Sequence, residues 1–155
     1  MKFKGDFSSG SFFLEQEGFS VLMHNTDDLE KITEVSHGKY ISSSEKIILH
    51  SFLYRVNFLG ANNHDGKIIS EKPLKTYNNY FIGSDKSKWA GGCKIYQAVT
   101  YSNVYPNIDV RYYSEGDKMK YDFIIRPGGK PEDIKMKYSG PEEVKTENQI
   151  GRAHV

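Results

Sequence analysis

A single cysteine, Cys93, in 155 residues excludes an internal disulfide framework, and no Cys-His spacing supplies the base that a reactive thiol requires. Its setting, Gly91-Gly92-Cys93-Lys94-Ile95-Tyr96, is that of a small strand residue. Charge of one sign is missing too: 21 Lys and Arg against 20 Asp and Glu leave a formal net charge of +1, with no basic block and no acidic tail. Neither nucleic acid nor an anionic membrane is therefore indicated as a partner. No apolar run is long enough to cross a bilayer, and Met1-Lys2-Phe3-Lys4-Gly5-Asp6 lacks the apolar core of a signal peptide. The five histidines, His24, His37, His50, His64 and His154, form neither His-x-His nor His-Glu-x-x-His, and a nucleophile elbow, a Walker loop and a dinucleotide-binding glycine pattern are all missing. No catalytic residue, metal or cofactor is implied.

What the chain does contain is aromatic and β-branched. Mean hydropathy is low at -0.62, yet 11 Tyr and 9 Phe supply large amphipathic side chains for one sheet-based core. The clearest stretch is Val104 to Gly129. Ile108, Val110 and Tyr112 alternate with Asp109, Arg111 and Tyr113, and Met119, Tyr121, Phe123 and Ile125 resume the period after Ser114-Glu115-Gly116-Asp117-Lys118. This pattern predicts a hairpin that turns at Gly116, with Pro106 starting its first strand and Pro127 ending its second.

Phe3–Phe7 is a short glycine-containing segment before a turn at Ser8-Ser9-Gly10-Ser11, and further strands are expected on both sides of a turn at Gly18 within Phe12–Met23, over Lys46–Leu59 with Tyr54, Val56 and Phe58 on one face, at Ile68–Ser70, leading out of Tyr96–Thr100, and at Ile134–Tyr138. Asn25 or Thr26 can cap a helical turn, and the chain to Ser44 reads as a long connection. Lys130-Pro131-Glu132-Asp133-Ile134 reads as a turn, and Lys75–Trp89, aromatic but poorly alternating, as a segment wrapping a sheet edge. Short β runs punctuated by Gly and Pro, without a long amphipathic helix, predict an all-β, antiparallel, sandwich-like single domain over residues 1–149 with long loops.

Three constellations bear on chemistry. Asn62-Asn63-His64-Asp65-Gly66 clusters oxygen ligands but lacks the full calcium-loop pattern, so a polar hairpin turn is the simpler reading. Asp109 and Asp122, on the two arms of the hairpin, have the residue types of a glycosidase pair, but with Arg111 and Lys120 they also suit cross-strand charge pairing, with Tyr121 beside them as a structural residue. Asn78, Asn79, Tyr80 and Trp89, among Lys86, Lys88 and Lys94, form a possible ligand surface, since rings and amides stack on and hydrogen-bond a sugar or a protein partner.

Ordered motifs carry a resemblance: Phe13-Leu14 to Gly18-Phe19, His24-Asn25, Tyr54-Arg55-Val56-Asn57-Phe58-Leu59-Gly60-Ala61-Asn62, Tyr77-Asn78-Asn79-Tyr80-Phe81-Ile82-Gly83, Trp89-Ala90, Tyr105-Pro106-Asn107-Ile108-Asp109 and Lys120-Tyr121-Asp122-Phe123. Across about Phe7 to Pro141 the chain resembles a β domain of unknown function found near the N-terminus of large secreted, gliding-motility-associated proteins with a type IX sorting domain. In those proteins PKD-type modules or SBBP-type β-propeller repeats often lie downstream. The resemblance implies an extracellular or cell-surface setting, with neighbouring β domains or surface glycans as partners, and brings no catalytic residues. Two functions are expected from different classes: a noncatalytic structural or adhesive module, or a carbohydrate-binding accessory module or remote glycoside-processing domain. The family's opening segment is expected to be clipped before Lys2. Ile150-Gly151-Arg152-Ala153-His154-Val155 matches a translated sequencing adapter, so no role is assigned to Arg152 or His154.

Overall fold

The structure, a computed structural model, describes residues 3–15, 17–38, 46–62, 67–116, 118–140 and 142. Its elements run β1 (Phe3–Phe7), β2 (Gly10–Glu15), β3 (Gly18–His24), α1 (Thr26–Ser36), β4 (Ser51–Phe58), β5 (Ile68–Tyr80), β6 (Ala90–Tyr105), β7 (Ile108–Glu115), β8 (Lys118–Ile125) and β9 (Met136–Ser139). All strand pairs are antiparallel and make two sheets, ordered β1-β2-β3-β4-β9 and β5-β6-β7-β8. The chain is thus all-β with the sheet complement of a sandwich, as its punctuated β runs predict. It divides into two compact units, one formed by the chain up to Gly60 and from Ile134 onward, the other by Ala61–Asp133.

In the first unit β3 is the middle strand, buried from Gly18 to Val21, and its Phe19 lies between Leu14 of β2 and Val56 of β4. The Phe19 and Phe58 rings meet edge-on at 6.3 Å. Gly18 has φ +148°, as its turn position predicts, and it is also pressed against β4: a Cβ there would lie 1.9 Å from the Val56 carbonyl oxygen. No L side chain fits that approach.

Two expectations change in this unit. The connection after β3 holds an 11-residue helix, whose Asn25 cap accepts the Asp28 N–H at 3.0 Å. Its apolar stripe is only Leu29, Ile32 and Val35, each half-buried, so the helical period is faint in the sequence. Secondly, β4 begins at Ser51 and not at Lys46. The His50 backbone faces the helix start instead of a strand: its N–H donates to Asp28 Oδ2 at 2.9 Å and its carbonyl accepts from Asn25 at 2.9 Å. The Ser42-Ser43-Ser44 punctuation lies outside the described residues.

The second unit contains the predicted hairpin in full register, from Ile108 opposite Ile125 to Glu115 opposite Lys118, with Gly116 at φ +60°. Pro106 and Asn107 form the turn between β6 and β7 instead of starting the strand. Ala98, Val99, Tyr101, Val104, Tyr105, Ile108, Val110 and Tyr112 are buried, with Tyr101 edge-on to Tyr112 at 5.8 Å. The largest departure is β5. A single 13-residue edge strand replaces the short Ile68–Ser70 strand, and within Lys75–Tyr80 the residues Tyr77, Asn78 and Tyr80 pair with β6 instead of wrapping a sheet edge. Register shifts between Pro73 and Tyr77 and between Asn78 and Tyr80 break the two-residue period, which is why this strand does not read as one. Asn63-His64-Asp65-Gly66 lie outside the described residues.

Candidate functional site

The strands of the second sheet are unequal. β6 spans 16 residues and β7 only eight, and β7 pairs with the Ala98–Tyr105 half alone. Ala90–Gln97 continue beyond it, paired only to β5. The result is a two-stranded arm extending from its own sheet. From Lys72 to Gly92 every residue except half-buried Tyr80 is exposed, so both faces meet solvent.

All four residues of the candidate ligand surface lie on this arm, each tied to a group within it. Asn78 donates to the Tyr80 hydroxyl at 3.2 Å, Asn79 Oδ1 accepts the Gly92 N–H at 2.8 Å, and the Trp89 indole N–H donates to the Gly83 carbonyl at 3.1 Å. The connection between the strands holds a 3-10 turn, Lys86–Lys88. Asp85 caps it, accepting from the Ser87 hydroxyl at 2.7 Å and backbone at 3.1 Å, and these bonds hold its carboxyl below the ordinary range. Trp89 packs against Phe81 at 5.4 Å with the Lys86 ammonium 5.8 Å from the indole ring. Phe81 and Ile82, exposed at 59% and 77%, complete an apolar end, and Tyr77, exposed at 62%, lies farther back opposite Lys94. Their sequence trace is the run Tyr77–Ile82, whose missing alternation reflects burial on neither face.

The hairpin residues are placed elsewhere in the same sheet. Arg111 faces Asp122 across the ribbon, but its bidentate partner is Glu71 of β5, with both contacts at 3.1 Å and Thr100 donating to the same carboxylate at 2.8 Å. These bonds, led by that of Arg111, hold Glu71 below the usual glutamate range. Asp109 pairs with Arg126 at 2.8 Å and accepts the Asn103 N–H at 2.8 Å, bracing the β6–β7 turn. Lys120 contacts Glu115. Desolvation, and then a bond to Asp122, raise the Tyr113 phenol. Tyr121 packs between Tyr112, tilted to it at 6.3 Å, and Phe123, edge-on at 6.0 Å. Glu71, Glu115 and Arg126 had no signal in sequence, because each partner is fixed by register across strands.

A second unforeseen group lies in the first unit. Asp28 Oδ2 accepts from His50 Nδ1 at 2.6 Å as well as from its backbone, and His24 Nδ1 lies 2.8 Å from Ser51 Oγ. The His50 bonds, backbone first, hold Asp28 below the ordinary aspartate range. Asp28 fastens the chain before β4 onto the start of α1. Among the described residues no three His, Cys, Asp or Glu side chains converge as a metal site, and no helix is long and apolar enough to cross a membrane. Cys93 is half-buried in β6 opposite Asn78.

No curated protein and no solved structure matches the chain. A family model matches residues 1–152, and the chain belongs to that family, a domain of unknown function, DUF7948.

Proposed function

We propose that this chain is a noncatalytic structural or adhesive module of a large exported cell-surface protein, and that it makes its contact through the β5–β6 arm. The observation that carries this reading is the apolar end of the arm, where Phe81, Ile82 and Trp89 are exposed together at the extremity of a ribbon that, among the described residues, has no third strand. A lone two-stranded ribbon is marginal in water, so its projection is better accounted for by a contact than by the core. The exported setting rests on the resemblance of the ordered motifs.

The second reading, a carbohydrate-binding accessory module, is favoured by the gathering of Asn78, Asn79, Tyr80 and Trp89 on one arm. Against it stands the internal use of the Trp89 indole N–H and the Asn79 carbonyl oxygen, groups a sugar would otherwise engage. For glycoside processing, Asp109 is tied to Arg126 and Asn103.

One set of samples tests both readings: the purified chain, incubated with a panel of surface glycans, is assayed for retention and for release of reducing ends. The noncatalytic reading expects no release. Release that disappears in Asp109→Asn or Asp122→Asn overturns it. Saturable glycan retention that is lost in Trp89→Ala but kept in Ile82→Ser replaces the first reading with the second.

A further inference from the structure

The composition of the arm differs from that of the whole chain. Between Lys72 and Tyr96 lie five lysines, Lys72, Lys75, Lys86, Lys88 and Lys94, and one acid, Asp85, a net of +4 by subtraction in a chain whose formal total is +1. All five lysines are exposed, and Asp85 is already engaged by Ser87 and, at 3.5 Å, by Lys88. Lys86 and Lys88 thus flank the only tryptophan of the chain at the apolar end, and Lys72, Lys75 and Lys94 extend the positive charge back along the strands.

We infer that the end of the β5–β6 arm docks on the headgroup region of an anionic lipid bilayer, with Phe81, Ile82 and Trp89 entering the interface and the lysines meeting lipid phosphates. Three physical arguments select this occupant. Shallow insertion needs no shaped counterpart, and it combines apolar burial with attraction between lysine and anionic lipid. Entry into an interface also requires that polar groups be satisfied beforehand. The Trp89 N–H is bonded to Gly83, Asn79 to the Gly92 backbone, and the 3-10 turn is capped by Asp85, so these groups keep their hydrogen bonds on entry. Lysine stems are long enough to lie along the apolar residues while their ammonium groups stay at the phosphate level, and Trp and Tyr favour that same boundary.

The inference rests on the noncatalytic-module reading, which fails on glycan turnover, whereas this inference fails on vesicle binding alone. Because Trp89 is the sole tryptophan, its emission reports on the tip directly. The full chain is titrated with vesicles of phosphatidylcholine containing phosphatidylglycerol, and with phosphatidylcholine alone. The expected result is a blue shift with the anionic vesicles only, quenched by bromine-labelled acyl chains and weakened by salt. Lys86→Gln and Lys88→Gln should each weaken partitioning roughly fivefold, and Phe81→Ser with Ile82→Ser should abolish the quenching while circular dichroism stays that of the parent. An unshifted emission with anionic vesicles overturns the inference. So does an equal shift with neutral vesicles, a shift reproduced by a soluble anionic polysaccharide without lipid quenching, or a shift that follows protein concentration through self-association.

Discussion

The two hairpins of the second sheet use the same architecture to opposite ends. In β7–β8 both strands have eight residues, the turn falls at Gly116, and β7 alternates buried and half-buried positions from Ile108 to Tyr112. In β5–β6 the strands run 13 and 16 residues, and only the half beside β7 has a partner on its far side. Strand length relative to the neighbour decides which ribbon becomes core and which becomes surface. The polar Glu71–Thr100–Arg111 ladder spans three strands on the packed side of the boundary, where β5, β6 and β7 lie together.

Substitutions should separate the two regions sharply. The largest effect belongs to Ile108→Ala: this side chain is fully buried, and its truncation should cost about 3 kcal/mol in urea denaturation. A loss below about 1 kcal/mol would mean that the packed hairpin is not the core it is described to be. Tyr101→Phe acts in the other direction. The Tyr101 hydroxyl is buried without a hydrogen-bond partner among the described residues, and burial pushes its phenol up to about 12, so deleting the oxygen should raise stability by about 1 kcal/mol. A fall in Tm for Tyr101→Phe would place an unseen partner on that oxygen.

Glu71→Gln probes the boundary itself and should cost at most about 1 kcal/mol at neutral pH, because the pair is partly exposed. The sign of its pH dependence follows from the depressed glutamate. The contribution is fully present above the ordinary value of 4.5 and fades as pH falls through the lower folded value, so parent and variant should converge in acid. A gap that is constant from neutral to strongly acidic pH would contradict the charge pairing. The smallest effect is expected on the arm: Ile82→Ser should change stability by less than about 0.5 kcal/mol. A larger loss would show that the tip is packed in the free chain.

The same contrast governs what could be read in advance. Ile108, Val110 and Tyr112 were legible because one face is buried and the next residue is not, and that difference is what period-two patterning records. Lys75–Tyr80 were illegible as a strand because both faces are wet and two register shifts interrupt the period. Asn78, Asn79, Tyr80 and Trp89 could be grouped from sequence because they lie on one hairpin. Their apolar companions Phe81 and Ile82 could not be separated from core residues, since exposure is decided by whether a third strand arrives. The ion pairs were hardest. Asp109 chose Arg126 and Arg111 took Glu71, outcomes set by cross-strand register, for which the chain carries no local mark.

Native-state amide hydrogen exchange along β6 tests the division most directly, since one continuous strand crosses the boundary. Protection should step between Gln97 and Ala98, with Ala98–Tyr105 approaching the global unfolding free energy and Ala90–Gln97 exchanging by local opening orders of magnitude faster. Uniform protection from Ala90 to Tyr105 would contradict the account, because it would make the arm part of the cooperative core.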